Sequence, residues 1–336
     1  MRRTRARLDA LRYQWRLYGG LRSANRLWSP KHDMAASPFP QAIQLQTINA
    51  CQAACRMCPY PLFQDAFPRG RMDDALFDKV TSEIAGHPEV QAFIPMLQNE
   101  PFLDKRLFDM IGRFKEATGN RIGVELVTNG AFLTDDNIAR IRAARLDVLD
   151  ISLDALSRET YETIRIGLDY DEVLAGVERV VNADLPDTRV FVRLVRQRHN
   201  IAEAKAFARH WRKRGVPVFI YTANDRAGAL GDYDADVRVP EESVTIGERA
   251  GRRIFRALMR HCPIPFAAAY ILHDGTMLLC VHDWGRKEIL GNVRDASIAE
   301  LWNGPRMREI RQRVQKRDYT SLPACRDCSL WRDGYF

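Results

Sequence analysis

From residue 42 onward the chain alternates between two hydrophobic periods. Short apolar and β-branched runs at AIQLQTI (42–48), VQAFIPMLQ (90–98), IGVELVTNG (122–130), VLDISLDA (148–155), RVFVRLVRQ (189–197) and PVFIYTA (217–223) predict buried strands. Between them, DDALFDKVTSEIAGH, KRLFDMIGRFKEATG, TDDNIARIRAAR, DEVLAGVERVVNA and IAEAKAFARHWRKRG place apolar residues at helical spacing, and two of these stretches end at glycine, as helices often do. Six strand-then-helix units predict an α/β fold with a parallel sheet and right-handed crossovers, either an open doubly wound sheet or a barrel. In both, functional residues gather at the carboxyl ends of the strands.

The polar candidates fall at those ends. Cys51, Cys55 and Cys58 follow the first strand, Asn99 and Glu100 the second, Thr128 and Asn129 the third, Ser152 and Asp154 the fourth, and Asn200 the fifth. One edge of one sheet would therefore collect all of them.

Composition narrows the class. The 336 residues suffice for one barrel-sized domain with an appendage or for two ordinary domains. With 46% apolar and 28% charged residues the chain reads as globular. No apolar run approaches the roughly 18 residues of a membrane span. The opening MRRTRARLDALRYQWRLYGG lacks the apolar core of a secretory signal, so a cytoplasmic, reducing location is expected. In that compartment seven cysteines in two groups read as metal ligands or catalytic thiols before disulfides.

The net charge of +8 is concentrated in the first 31 residues, where Arg2, Arg3, Arg5, Arg7, Arg12, Arg16, Arg22, Arg26 and Lys31 meet only Asp9. Such an arm can make weak peripheral contact with a membrane surface or RNA. It can equally be a solvated helix packed on the rest of the protein through Leu8, Leu11, Trp15 and Leu21, and no nucleic-acid partner is expected.

CQAACRMC (51–58) sets three cysteines at C-x3-C-x2-C, with no fourth ligand in the local sequence. Thiolates select zinc, copper(I) or iron–sulfur centres. A structural zinc site would be closed by a fourth ligand, whereas an iron–sulfur cluster held by three thiolates keeps one iron open. Cys262 and Cys280 flank a second segment, in which AAYILHD and TMLLCVH predict a hairpin turned at Asp274-Gly275. Cys325 and Cys328 form a C-x2-C knuckle in PACRDCSLW. These four thiols could close a site around zinc or around a second cluster.

CQAACRMCPYP resembles the cluster motif of radical S-adenosylmethionine (radical SAM) enzymes, and the resemblance covers roughly residues 40–336. It implies a partial (β/α)6 barrel in which a [4Fe-4S] cluster on Cys51, Cys55 and Cys58 binds S-adenosylmethionine and cleaves it to a 5'-deoxyadenosyl radical. QNEP (98–101) stands at the family's GGEP-like turn, so Glu100 and Asn99 would hold the methionine amino group. SLDA (152–155) is similar to the fourth-strand motif, implying Ser152 and Asp154 near the methionine carboxylate and ribose, with Thr128 and Asn129 lining the same pocket. The RQRHN segment implies Asn200 near adenine, and Arg165 in TIRIG a carboxylate partner. Two positions depart from the pattern: Met57 replaces a frequent aromatic, and Gln98 and Asn99 replace a glycine pair.

The C-terminal layout, with GNV, SIAELWN and CRDC, resembles the SPASM and twitch subfamilies. That resemblance implies one auxiliary [4Fe-4S] cluster on Cys262, Cys280, Cys325 and Cys328, suited to electron transfer, with His261, His273 and His282 as neighbours rather than ligands. The implied domains are a basic arm (1–40), the radical SAM core (41–245) and the auxiliary-cluster domain (246–336).

Layouts of this kind are similar to 2-deoxy-scyllo-inosamine dehydrogenase-type members. The expectation is an oxidoreductase acting on a polyhydroxylated small molecule, with a reductant such as flavodoxin or ferredoxin. Arg193 and Arg196 are the catalytic candidates, able to deprotonate or orient a hydroxyl or to bind a phosphate, or else to lie on the outer face of the strand. Alternatives are a sugar epimerase or dehydratase, a peptide maturase, for which the N-terminal arm is short, and a zinc-binding nucleic-acid module. The loop 222–243 is where substrate choice is expected to reside.

Overall fold

A computed structural model describes residues 37–67, 69–250, 253 and 261–330. The basic N-terminal arm lies outside the described residues, apart from its last few positions.

All six expected strands are present: β1 (Ala42–Leu45), β2 (Ala92–Ile94), β3 (Gly123–Thr128), β4 (Val148–Ser152), β5 (Arg189–Arg196) and β6 (Val218–Thr222). They run parallel and in sequence order. The helices α1 (Asp74–Ala85), α2 (Leu107–Ala117), α3 (Asp135–Ala143), α4 (Arg158–Ile164), α5 (Tyr170–Asn182) and α6 (Ala204–Lys213) fill the crossovers. Their starts follow from side-chain caps. Asp73, Thr134, Ser157 and Asp169 each accept a backbone N–H from the first turn of α1, α3, α4 and α5, satisfying donors that a helix start leaves orphaned. Helix α4 is absent from the sequence expectation; it is only seven residues long and follows the strand-end turn directly.

The C-terminal region continues the same sheet. β7 (Ala268–Ile271) pairs parallel with β1, and β8 (Thr276–Leu278) and β9 (Ile289–Asn292) follow antiparallel, giving the order β6-β5-β4-β3-β2-β1-β7-β8-β9. The sheet is open among the described residues. The expected hairpin turns at Asp274-Gly275, where Gly275 has φ 91°. Helices α7 (Ile298–Trp302) and α8 (Pro305–Gln315) follow β9, α7 starting with a reciprocal Ser297–Glu300 capping box.

Strand alternation divides the sheet into two faces. Leu149, Ile151, Val192 and Leu194 join Phe114, Val177, Phe207 and Trp211 from the helices in the main core. Opposite them, Val148, Phe191 and Phe219 form a separate inner cluster. Paired residues of parallel strands share a face, so the registers Val127↔Asp150, Ser152↔Arg193 and Val195↔Tyr221 put Asp150, Ser152, Arg193 and Tyr221 on that inner side. Charged side chains on a helix-free face in the middle of a sheet mark the interior of an open barrel.

Candidate functional site

The cysteine loop leaves β1 and is held from two sides. Ala54 N–H donates to the Ile166 carbonyl at 2.8 Å and Arg56 N–H to that of Ile164 at 3.0 Å, so the loop lies along TIRIG (163–167). Gly167, with φ 87°, is needed there: a Cβ would sit 3.3 Å from the Gln52 carbonyl oxygen. Cys58 N–H donates to Cys55 O at 2.9 Å, closing the turn that brings the last two thiols together. A cavity of about 500 Å³ opens beside Cys51, lined also by Ala53, Pro61, Gln64, Arg69 and Leu103.

Glu100 is anchored to this loop through its own N–H, which donates to Ala50 O at 2.9 Å. Its carboxylate accepts from Thr128 Oγ1 and Asn129 N, both at 2.8 Å, and from Phe102 N at 3.2 Å. Burial raises its pKa from an ordinary 4.5 to about 7, against the opposing effect of the Asn129 and Thr128 hydrogen bonds. Asn99 Oδ1 accepts from Leu97 N at 2.8 Å, and Asn129 Oδ1 from Ala131 N at 3.0 Å. The Nδ2 groups of both asparagines are buried with no hydrogen-bond partner among the described residues. A buried carboxylate with two unspent amide donors nearby is a site built to receive an ammonium and an acceptor oxygen.

Asp154 is fully buried, and with φ 63° it occupies the left-handed region that a non-glycine residue adopts only when held there. Its Oδ2 lies 2.7 Å from Arg165 Nε and 2.5 Å from Nη2, while Oδ1 accepts from Val195 N at 2.5 Å. Arg165 Nη1 also reaches Cys55 Sγ at 3.6 Å. Burial would lower the guanidinium pKa, but Asp154 and Cys55 more than offset it, and Arg165 stays charged. Asn200 Nδ2 donates to Asp154 O and Val195 O, at 2.9 and 3.0 Å. Its amide thus fastens β5 to the Asp154 turn. Ser152 is buried at the end of β4.

Arg193 and Arg196 part company. Three apart on a strand, they project to opposite faces. Arg193 lies inside, where it pairs with Asp150 and stacks 4.9 Å over the Tyr221 ring. Arg196 pairs with Glu248 from the segment after β6. Asp150, which sequence reasoning missed, is wholly buried, and its Oδ1 has no hydrogen-bond partner among the described residues. Burial raises its pKa, with Arg193 acting in the opposite direction. A lone aspartate inside the apolar run VLDIS was the available signal.

The four C-terminal cysteines also converge. Burial pushes the Cys262 and Cys280 thiols well above the ordinary 9.0, and Cys325 and Cys328 add to this for both of them. Cys328 N–H donates to Cys325 O at 3.1 Å, repeating the turn at Cys55 and Cys58. Cys262 N–H donates to Tyr319 Oη at 3.0 Å, and His282 N–H lies 3.4 Å from Cys280 Sγ. His261 Nδ1 lies 3.2 Å from Cys262 O, and His273 Nδ1 lies 2.9 Å from Gln46 Oε1.

Residues 45–210 match the Radical SAM superfamily model and residues 262–329 the SPASM iron–sulfur cluster-binding domain. The chain belongs to the radical SAM superfamily. Among relatives of this radical SAM protein, the tungsten-containing aldehyde ferredoxin oxidoreductase cofactor-modifying protein of Pyrococcus furiosus is 23% identical, covering 86% of this chain and 87% of its own. The S-adenosyl-L-methionine-dependent 2-deoxy-scyllo-inosamine dehydrogenase of Niallia circulans is 19% identical over 85% of this chain and 92% of its own. The fold is shared with BtrN in complex with AdoMet and 2-DOIA, at TM-score 0.60 and 16% identity, covering 88% of this chain and 96% of that one. It is also shared with anSMEcpe with bound AdoMet, at TM-score 0.62 and 14% identity over 86% and 85%.

As a radical SAM enzyme with a SPASM domain, the protein uses a [4Fe-4S] cluster with S-adenosylmethionine, an auxiliary cluster and a reductant. The donor sets fit these groups. Among the described residues no three Cys, His, Asp or Glu side chains are gathered tightly enough for a single metal ion. Yet Cys55 and Cys58 raise the Cys51 pKa, which burial takes to about 12, and the C-terminal four interact likewise. Sets of three and four thiols suit iron–sulfur clusters, and ligation must displace the thiol protons. Cys51, Cys55 and Cys58 would hold the first cluster and Cys262, Cys280, Cys325 and Cys328 the second. Glu100 and the Asn99 and Asn129 amides would receive the amino-acid end of S-adenosylmethionine. Among the described residues no helix is long and apolar enough to cross a membrane.

Proposed function

We propose that this enzyme oxidises an alcohol carbon of a polyhydroxylated small molecule, such as an aminocyclitol, sugar or nucleoside, to a ketone. The observation that supports the reading is the Arg193–Asp150 pair on the inner face of the sheet, with one Asp150 oxygen unpartnered among the described residues. When bound, the clusters and S-adenosylmethionine would supply the one-electron chemistry: the alcohol carbon of the substrate loses a hydrogen atom and then gives up one electron. The remaining requirement is removal of the hydroxyl proton, which falls to the protein.

Asp150 has the properties of that base. It is buried, its pKa is raised toward the range where a carboxylate takes a proton effectively, and its free oxygen faces the barrel interior. Arg193 cannot act as a base, because a guanidinium stays charged. Its role is to hold Asp150 ionised and to orient the hydroxyl. The Tyr221 ring, against the guanidinium, fixes its position. Arg196, tied to Glu248, takes no part in this reading.

The test uses reconstituted protein with a panel of aminocyclitols, sugars and nucleosides carrying deuterium at the alcohol carbon. Expected are one S-adenosylmethionine consumed per ketone formed and deuterium in 5'-deoxyadenosine. Solvent deuterium appearing in a product of unchanged oxidation state would establish an epimerase instead. Turnover confined to peptides would overturn the small-molecule reading.

A further inference from the structure

Arg226 is a cation that neither the site nor the proposed chemistry has used. It lies in the loop after β6, in a run of three left-handed residues: Arg226 at φ 52°, Ala227 at 57° and Gly228 at 76°. Left-handed backbone is disfavoured at a residue bearing a Cβ. Two such residues in succession persist only where the surroundings over-determine them.

The surroundings here are the C-terminal cysteine knuckle. Both Asp225 carboxylate oxygens accept from Ser329 N at 3.0 Å, and Asp225 N–H donates to Ser329 Oγ, also at 3.0 Å. Asp225 Oδ1 further accepts from Ala227 N at 3.1 Å, and Asn224 Oδ1 from Arg226 N at 3.0 Å. Gly228 lies so close to the knuckle that a Cβ would come within 2.8 Å of Asp327 Cβ. The strained turn is therefore clamped onto the segment that carries Cys325 and Cys328.

From that clamp the guanidinium reaches both cysteine systems. Nε donates to the carbonyl of Met57, the residue before Cys58, at 3.4 Å. Nη1 lies 3.3 Å from His282 Nδ1, and the backbone N–H of His282 donates to Cys280 Sγ at 3.4 Å. A guanidinium has only donors, so in this contact His282 Nδ1 is the acceptor. No carboxylate pairs with Arg226 among the described residues. Through the Met57 carbonyl its charge is anchored one residue from Cys58. A partly desolvated cation without a carboxylate is costly unless an anion completes it.

We propose that Arg226 is a positioning residue that ties the two cysteine loops together and, through its uncompensated charge, raises the reduction potential of the cluster bound at Cys51, Cys55 and Cys58. The inference rests on the ligand assignment made above. Reduction adds negative charge to a cluster, and a cation held beside one of its thiolates favours the reduced form.

The experiment is EPR-monitored redox titration of full-length protein, anaerobically reconstituted with iron and sulfide, as wild type, Arg226→Gln and Arg226→Lys. Iron content separates the outcomes. If the wild type binds no iron, the ligand assignment itself is wrong. With iron content retained, Arg226→Gln is expected to shift the midpoint of the first cluster to a more negative value. Arg226→Lys keeps the charge but cannot span both acceptors, so its midpoint should stay near wild type. An unchanged midpoint in Arg226→Gln overturns the electrostatic role and leaves only a bridge. A lysine variant that shifts as far as glutamine overturns it too, because geometry rather than charge would then be responsible. Should Arg226→Gln fail to load, a lysine midpoint near wild type supports the charge and a clearly more negative one overturns it.

Discussion

Arg165 and Asp154 form a buried ion pair, with Nη2 and Oδ2 2.5 Å apart, whose other guanidinium edge lies 3.6 Å from Cys55 Sγ. The acid is fixed by the Val195 amide of β5 and by the Asn200 clamp, and both help aim the cation at the thiol.

Breaking that pair should be expensive. Arg165→Ala leaves the Asp154 charge buried and unpaired, which costs about 3–5 kcal/mol. Thermal unfolding should show the loss, and 5'-deoxyadenosine formation should collapse with it. Arg165→Lys, which retains the charge without the fork geometry, should recover most of the stability and less of the cleavage.

Glu100 gives a pH dependence with a defined sign. Its pKa is about 7 in the folded protein against an ordinary 4.5, so the folded state binds the proton more tightly. Its contribution to stability therefore falls as pH rises from 4.5 to 7. Glu100→Gln should stabilise the cluster-free protein by up to roughly 2–3 kcal/mol at pH 8, read from denaturant titrations at pH 5 and pH 8. In the proposed role Glu100 meets the S-adenosylmethionine ammonium as a carboxylate. Calorimetry should find wild-type affinity weakening as pH drops below 7 and the variant showing little affinity at any pH.

Asp150→Asn should separate the two halves of the proposed reaction. S-adenosylmethionine cleavage needs no base at this position and should persist, while ketone formation should fall by about 10²–10⁴-fold, the usual contribution of a general base. Because burial raises the Asp150 pKa, wild-type oxidation should increase with pH through that raised value. The variant should lose this limb, and equal loss of cleavage and oxidation would remove Asp150 from the role of base.

Iron and sulfide analysis checks the two thiol sets. Wild type should hold about eight irons per chain, as two four-iron clusters require. Cys55→Ala should lose about four of them along with all 5'-deoxyadenosine formation, whereas Cys280→Ala should lose the other four and keep the capacity for cleavage. Zinc in place of half the iron would reassign the C-terminal site.

Much of the site was legible because its parts are local. The C-x3-C-x2-C loop, the QNEP turn and the C-x2-C knuckle each place their donors within a few residues, and strand-end position follows from the repeated βα unit. Asn200 illustrates the limit. Its place after β5 suggested a ligand contact, while its amide hydrogens are spent on the Asp154 and Val195 carbonyls, partners 46 and 5 residues away. Asp150 and Arg193 were not legible as a pair, because their meeting depends on the register of β4 against β5.

The amino-acid sequence by itself determined the six βα units, the hairpin at Asp274-Gly275 and the two groups of cysteines, since hydrophobic period, turn chemistry and ligand spacing are written along the chain. Only the tertiary structure decided that β7 joins β1 to extend one sheet, that Arg193 and Arg196 face opposite ways, and that Arg226 bridges Met57 and His282. The reason is physical. These relationships join segments far apart in sequence, and they are fixed by register and burial, which no local pattern specifies.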